Sequence, residues 1–204
     1  MIENIVFDMG KVLIHFDTDR YTACFADTPA DRELLRREVF RSVEWVQLDR
    51  GTITDEQAAR QIEPRLPEHL RAAVSQIFAR WHEDIPTLDG IYALVKELKD
   101  AGYHIYLLSN TSARFHQFRR NIPALQFFDG EFISADVGLL KPEAEIYQKF
   151  FETFGLNPGQ CVFIDDVPAN IEASLRAGMP GIVYNDDPTE LRRKLAAMGV
   201  RVAL

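Results

Sequence analysis

The chain has 204 residues, 47% of them hydrophobic and 26% charged, which is ordinary for a globular protein and excludes a disordered chain. Its formal net charge of -8, with no clustered basic segment, argues against a nucleic-acid partner, because binding a phosphate backbone needs a basic face. Two distant cysteines, Cys24 and Cys161, predict neither a disulfide framework nor a zinc site. We expect a cytoplasmic protein with no membrane partner, since strand-like sequence begins at Ile2 and no apolar run approaches membrane-spanning length. Its oligomeric state is left open.

Short apolar, β-branched segments recur along the chain and predict strands. They are IVFD (5–8), HIYLLSN (104–110), GEFIS (130–134), CVFIDD (161–166) and GIVYN (181–185). From the second segment onward they alternate with helical patterns, namely a helix that ends before Gly102 and helices over 142–154 and 168–177. This alternation predicts an α/β fold with a parallel sheet and helices on both faces.

Residues 19–84 interrupt this alternation. The pattern there predicts helices at about 31–42, 54–63 and 67–82 with no strand between them, and Thr54 with Gln57 forms a capping box at the start of the second. We therefore expect a core domain formed by residues 1–14 and 85–204 and a helical cap domain formed by residues 15–84.

Polar residues stand where the predicted strands end. Asp8 follows the first strand, Ser109, Asn110 and Thr111 follow the second, Lys141 precedes a helix, and Asp165 and Asp166 end the fourth strand. Parallel strands bring their carboxyl ends to one edge of the sheet, so we expect these side chains to meet there. Each also has a simpler interpretation, because strand-end aspartates cap helices or form solvated turns and a lysine before proline is often a loop residue.

Together these residues are typical of phosphoryl transfer. Asp8 is predicted to attack phosphorus and form an aspartyl-phosphate, which divides one difficult hydrolysis into two easier steps. Mg²⁺, held by Asp166 and oriented by Asp165, would shield the attacking carboxylate from the charge of the phosphate. Ser109 and the amides that follow it would bind phosphoryl oxygens, while Lys141 would neutralise charge that moves in the transition state. The predicted partner is a small phosphate ester.

Four motifs, FDMGKVL, LLSNTS, GLLKPEAEIY and FIDDVPANIEAS, occur in this order. In these motifs the sequence resembles the haloacid dehalogenase (HAD) superfamily of phosphohydrolases over nearly its whole length. The resemblance implies a Rossmann-like core with strands ordered fifth, fourth, first, second, third, and a small helical cap. It also implies a magnesium site formed by Asp8, the carbonyl of Gly10, Asp165 and Asp166, with Lys11, Asn110 and Thr111 at the substrate.

A closer resemblance connects the chain to a HAD subgroup that includes bacterial α-D-glucose-1-phosphate phosphatases. It is carried by SNT, by KPE followed by IYQ, and by DD followed by NIE. This resemblance implies a sugar phosphate as the substrate.

The sequence departs from the family pattern at Gly10. Most family phosphatases have a second aspartate there, which protonates the leaving oxygen and then activates water. His15 and Asp17 are the candidate replacements, and the resemblance to the subgroup extends to an aspartate at the place of Asp17. The alternative is that both residues only shape the turn into the cap. Lys11 is a poor base because an ordinary lysine stays protonated at neutral pH, although its charge can steady the leaving oxygen.

Two other function classes remain open. A 2-haloacid dehalogenase also uses a strand-end aspartate and needs no second acid, but its chemistry needs no magnesium. A catalytically impaired binding or regulatory protein could retain the scaffold without the missing aspartate. In the cap, Arg50 beside Gly51 is the candidate substrate contact, with a solvated arginine as the alternative.

Overall fold

The computed structural model describes residues 1–83 and 85–203, so Asp84, the predicted last residue of the cap, and Leu204 lie outside the described residues. A five-stranded parallel sheet with the order β3-β2-β1-β4-β5 forms its centre. The strands are β1 (Asn4–Phe7), β2 (His104–Ser109), β3 (Gly130–Ile133), β4 (Cys161–Asp165) and β5 (Gly181–Val183). The predicted parallel sheet and its strand order are confirmed.

Eleven α-helices cover the sheet and its carboxyl edge within the described ranges. They are α1 (Thr18–Ala23), α2 (Pro29–Leu35), α3 (Val43–Arg50), α4 (Asp55–Ile62), α5 (Glu68–Arg80), α6 (Asp89–Asp100), α7 (Phe115–Phe118), α8 (Ser134–Val137), α9 (Ala144–Phe154), α10 (Pro168–Arg176) and α11 (Pro188–Ala197). The helices predicted before Gly102 and over 142–154 and 168–177 correspond to α6, α9 and α10.

Within residues 15–83 the three predicted helices are present, together with two further α-helices, α1 and α3. The first predicted helix becomes α2 followed by a π-helical segment, Arg36–Phe40, while α4 and α5 lie close to their predicted ranges. Helix α3 was missed because Val43 and Val46 are exposed, so its apolar residues do not mark one buried face. Its ends are nevertheless clear in the structure, since the Ser42 hydroxyl accepts from the Trp45 amide and Gly51 adopts a left-handed conformation.

The sheet separates two apolar cores, because alternate residues of each strand point to opposite faces. Ile5 and Phe7 face a core shared with α6 and the helices between β1 and β2, whereas Val6 and Phe163 face a core filled by the aromatic side chains of α9. The central strands are buried on both faces, which explains why their sequences are continuously apolar.

None of the helices in the described part of the chain is long and apolar enough to cross a membrane. The cytoplasmic location stays a prediction.

We predict that Leu94→Ala lowers the free energy of unfolding by about 2–5 kcal/mol, since it leaves a cavity where α6 packs on the sheet. Leu94 is fully buried. The matched control is Leu175→Ala on α10, where the side chain is 63% exposed and the change should stay within about 0.5 kcal/mol. Urea unfolding of both variants measures the difference, and equal losses would contradict the packing described here.

Candidate active site

Asp8 lies at the carboxyl edge of the sheet, directly after β1. Its backbone N–H donates to the carbonyl of Ile164 on β4 at 2.8 Å, so the chain continues along the sheet for one residue beyond the strand. This hydrogen bond holds Asp8 beside the end of β4, where Asp165 and Asp166 follow. Because β1 lies between β2 and β4, Asp8 occupies the centre of the edge.

The ammonium group of Lys141 links the ends of three strands. It donates to Asp8 Oδ1 at 2.8 Å, to Asp165 Oδ2 at 2.7 Å and to the carbonyl of Leu108 at 2.9 Å. All three of its N–H donors are therefore used, and the side chain is almost completely buried. Lys141 comes from the segment between α8 and α9, so this segment is fixed to the sheet by a buried, charge-assisted network.

Asn110 fixes the backbone of Lys141. Its side-chain amide donates to the Lys141 carbonyl at 2.9 Å, and its side-chain oxygen accepts from the Lys141 N–H at 2.9 Å. Thr111 is held nearby by its own N–H, which donates to Ser134 Oγ at 2.9 Å. The Asn110 side chain is thus a positioning group for the lysine.

Three carboxylates could hold a metal ion at this edge. Asp8, Asp165 and Asp166 each offer one oxygen, and these oxygens lie within 4.8 Å of one another. Mg²⁺ prefers oxygen ligands of this kind and is commonly bound through a few carboxylates with waters, so the donor set fits this ion. Asp165 is fully buried and oriented by the Val167 N–H at 2.7 Å and by the Asn170 amide at 3.0 and 3.1 Å.

The network shifts the pKa values of its members. Burial raises the pKa of Asp8 to about 6, opposed by Lys141 and assisted by Asp165, so the carboxylate is mostly ionised at neutral pH. Burial acts against the Lys141 ammonium, but Asp8 and Asp165 together raise its pKa above the ordinary value and keep it charged. Burial also raises the pKa of Asp166, which Lys11 opposes from 3.5 Å.

A cavity of about 250 Å³ opens above these residues. One wall is polar and is formed by Asp8, Gly10, Lys11, Lys141 and Asp166 with neighbouring residues. Another part of the wall is apolar and is formed by Ile14, Phe16, Trp45 and Trp81. Phe16, Trp45 and Trp81 pack against one another with ring centroids 5.7–6.0 Å apart, so this wall is a rigid aromatic cluster.

The structure brings most of the predicted site residues together. Those that line the cavity are Asp8, Gly10, Lys11, Asn110, Thr111, Lys141 and Asp166. Asp165 lies behind Asp8 and Lys141 in the buried network. Ser109 is 1% exposed and, like Asp165, does not belong to the cavity wall. Its predicted contact with the phosphoryl group stays a prediction.

Arg50 is the predicted substrate contact in the region between β1 and β2, with a solvated arginine as the alternative, and in the structure it pairs with the core. Its guanidinium forms a two-pronged ion pair with the carboxylate of Glu143 and donates to the carbonyl of Gly138 at 3.2 Å. Arg50 therefore connects the end of α3 to the segment that carries Lys141, and it does not line the cavity.

His15 and Asp17 also lie outside this cavity. The Asp17 carboxylate accepts from the N–H groups of Asp19 and Arg20, so it caps α1. Together with the exposed His15 it lines an adjoining depression, which shares Lys11, Phe16 and Asp166 with the cavity. This arrangement agrees with the alternative that both residues shape the turn after β1.

One residue of the cavity wall was not predicted from the sequence. Asp49, in the last turn of α3, lines the cavity together with Asp8 and Lys141. Burial, with a contribution from the charge of Asp8, raises the pKa of Asp49 to about 7, while Trp45 and the charge of Lys141 act in the opposite direction. The i, i+4 spacing of Trp45 and Asp49 beside Gly51 is the available signal, but it becomes visible only once α3 is recognised as a helix.

The fold and the strand-end constellation agree with the family comparison. The model of the haloacid dehalogenase-like hydrolases matches residues 2–178. The chain therefore belongs to the haloacid dehalogenase-like hydrolase family. The closer resemblance to the glucose-1-phosphate phosphatases stays a prediction.

Similar curated proteins include phosphatases. The chain is 29% identical over 185 residues to the sesquiterpene phosphatase astK of Aspergillus oryzae, covering 89% of each chain. It is 26% identical over 191 residues to the D-ribitol-5-phosphate phosphatase of Bacteroides thetaiotaomicron, covering 87% of this chain and 89% of the relative.

Solved structures with the same fold include two kinds of enzyme. A HAD family enzyme from Bacteroides thetaiotaomicron, in complex with magnesium and inorganic phosphate, superposes with a TM-score of 0.68 at 23% identity and covers 94% and 99% of the two chains. A dehalogenase superposes with a TM-score of 0.73 at 17% identity and covers 96% and 97%. At these identities the likeness establishes the fold alone.

We predict that Asp49→Asn raises the free energy of unfolding of the metal-free protein at pH 8. The folded state binds the proton of this carboxyl group more tightly than the unfolded state, because burial raises its pKa to about 7. The wild type is therefore destabilised most above pH 7, and the destabilisation decreases as the pH falls below 7. The advantage of the variant over the wild type should therefore shrink by on the order of 1 kcal/mol between pH 8 and pH 5.5. Urea unfolding in EDTA at both pH values measures it; a constant difference would contradict a raised pKa.

Proposed function

We propose that this protein is a magnesium-dependent phosphatase that hydrolyses a small phosphomonoester through an aspartyl-phosphate on Asp8. The observation that carries the proposal is the convergence of Asp8, the Lys141 ammonium and the carboxyl groups of Asp165 and Asp166 at the sheet edge, beside one cavity. A nucleophilic carboxylate beside a cation and a metal-binding set is the combination that phosphoryl transfer requires. Magnesium, when bound by Asp8, Asp165, Asp166 and the Gly10 carbonyl, supplies charge shielding between nucleophile and phosphate.

The residues of the chain have separate roles in the proposed reaction. Asp8 Oδ2 is the oxygen left free for attack or for metal binding, since Oδ1 accepts from Lys141. Lys141 holds the carboxylate in place and offers positive charge to the phosphoryl oxygens as charge develops. Asn110 fixes Lys141, and Thr111 and Lys11 line the cavity where the phosphoryl group would enter.

The substrate is proposed to be a sugar phosphate. Support comes from the resemblance to the glucose-1-phosphate phosphatases and from a relative that acts on D-ribitol-5-phosphate. The aromatic side chains of the cavity can pack against one face of a sugar ring. Because one relative is a sesquiterpene phosphatase, a substrate screen must also include phosphate esters with apolar leaving groups.

A 2-haloacid dehalogenase is the second candidate, and Gly10 is the observation that favours it. Halide leaves without a proton, so that chemistry needs no acid two residues after the nucleophile. The triad of carboxylates weighs against it, because three acidic groups gathered within 4.8 Å are expected to serve a cation. Turnover of a 2-haloacid in EDTA would favour this alternative.

We expect Asp8→Asn to lower the hydrolysis of p-nitrophenyl phosphate by about 10³-fold or more, because the amide cannot form the aspartyl-phosphate. Asp100→Asn is the matched control, since its exposed side chain at the end of α6 pairs only with Lys96 among the residues described. The control should retain wild-type turnover in Mg²⁺. Full activity of Asp8→Asn would exclude the proposed mechanism.

Binding of magnesium is tested without turnover. We expect millimolar MgCl₂ to raise the Tm of the wild type by a few degrees, since a ligand that binds only the folded state stabilises it. Asp166→Asn should lose most of this shift, and Asp100→Asn should keep it. Differential scanning calorimetry in EDTA and in Mg²⁺ provides the comparison; an equal shift in Asp166→Asn would remove that carboxylate from the metal site.

A further inference from the structure

Gly10 leaves the proposed reaction without the acid that family phosphatases carry near the nucleophile. Of the titratable groups that line the cavity in the described part of the chain, Asp8 is the nucleophile, Lys141 is committed to its three acceptors, and Asp166 lies with Lys11 at the metal site. Asp49 is the remaining carboxyl group.

Asp49 reaches this position from the cap side of the cavity. It stands on α3 with the aromatic wall, whereas the carboxylates of the metal site stand at the edge of the sheet. In phosphoryl transfer the leaving oxygen lies roughly in line with the nucleophile, on the side of phosphorus that faces away from Asp8. The location is therefore suited to a group that acts on the leaving oxygen.

The backbone around Asp49 is fixed to the core at three consecutive residues. Ser134 Oγ donates to the Asp49 carbonyl at 2.5 Å, and Arg50 is paired with Glu143. Gly51 has φ of 73° and lies so close to the carbonyl of Ala135 that a Cβ atom would clash with it. These contacts hold the end of α3 against the segment that carries Lys141, so the carboxyl group has a defined place relative to Asp8.

The surroundings of the side chain also favour its protonated form. Asp49 shares the cavity with the aromatic side chains of Phe16, Trp45 and Trp81. The charged groups that act on it are Asp8, which disfavours its ionisation, and Lys141, which favours it. With burial as the largest influence, a raised pKa near neutrality lets the group both donate and accept a proton at pH 7.

We infer that Asp49 is the general acid and base of this enzyme, supplied by the cap in place of the group absent at Gly10. The inference rests on the proposed function. In the first step an Asp8 oxygen bonds to phosphorus, the bond to the leaving oxygen breaks, and protonated Asp49 gives its proton to that oxygen. In the second step water attacks the phosphorus of the aspartyl-phosphate, Asp49 takes one proton from the water, and the bond to Asp8 breaks. Phosphate leaves, and both carboxyl groups return to their starting states.

The test compares two probes of similar shape, p-nitrophenyl phosphate and p-nitrobenzyl phosphate. A nitrophenolate leaves without protonation, whereas a benzyl alkoxide needs a proton from an acid. In Asp49→Asn we expect kcat/KM for the benzyl ester to fall by about 10²–10⁴-fold and kcat/KM for the phenyl ester to change by less than about fivefold. Because the second step loses its base, the phenyl ester should also show a burst of one nitrophenolate per enzyme before a slow steady state.

Two further variants complete the design. Asp100→Asn serves as the control for the substitution itself and should match the wild type with both esters. Gly10→Asp in the Asp49→Asn background should restore at least about tenfold of the benzyl ester activity. A Cβ atom at Gly10 would meet no atom beyond its chain neighbours closer than Phe16 Cβ, at 3.9 Å, so the backbone accepts a side chain there.

The possible results separate the inference from the proposed function. Unchanged kinetics in Asp49→Asn, or equal losses of kcat/KM with both esters and no burst, overturn the role of Asp49 while Asp8→Asn is still inactive. Activity of Asp8→Asn with either ester, or a wild type that hydrolyses neither, overturns the proposed function first. A selective loss with the benzyl ester, a burst with the phenyl ester and recovery by Gly10→Asp establish the inference.

Discussion

The buried contact between Lys141 and the carboxylates of Asp8 and Asp165 is the interaction on which the site depends. Three strand ends and one loop meet at a single ammonium group. Separately, each of these charges would be costly to bury, and removing one partner would leave the others uncompensated. In the assembled network Lys141 opposes the effect of burial and of Asp165 on the pKa of Asp8, and the contact fixes the loop before α9. Asp8, Asp165 and Lys141 therefore act as one unit, together with Asn110, which hydrogen-bonds to the backbone of Lys141.

A second constraint is the attachment of the end of α3 to the core. Ser134, Glu143 and Ala135 all contact the three residues from Asp49 to Gly51, and Glu143 belongs to the same KPE sequence as Lys141. One short segment thus fixes the cation at the bottom of the cavity and the cap residue at its side. The ion pair with Glu143 explains the position of Arg50, because its charge joins the end of α3 to the segment before α9. It also makes the shape of the cavity dependent on how α3 is held.

Much of the fold and of the polar end of the site was predictable from the sequence. The strands are short, apolar runs bounded by polar residues, and parallel strands bring their carboxyl ends together, so Asp8, Lys141 and Asp166 were expected to meet. The details that could not be predicted all depend on how side chains pack in the folded protein. Ser109 and Asn110 are neighbours on one strand end, and only side-chain packing decides that the first is buried and the second brackets Lys141. Helix α3 was hidden because exposed Val43 and Val46 obscure its buried face.

The sequence by itself determined the parallel sheet, the strand-end carboxylates and the family, because these follow from local periodicity and from motifs of fixed order. Only the tertiary structure decided which residue of the helices between β1 and β2 shares the cavity with Asp8. His15 and Asp17 are close to the nucleophile along the chain, yet Asp17 caps a helix and both lie outside the cavity. Asp49 is 41 residues from Asp8 in the sequence and shares the cavity with it. Helix α3 and the end of β1 are brought together by packing between distant parts of the chain, and such packing produces no local sequence pattern.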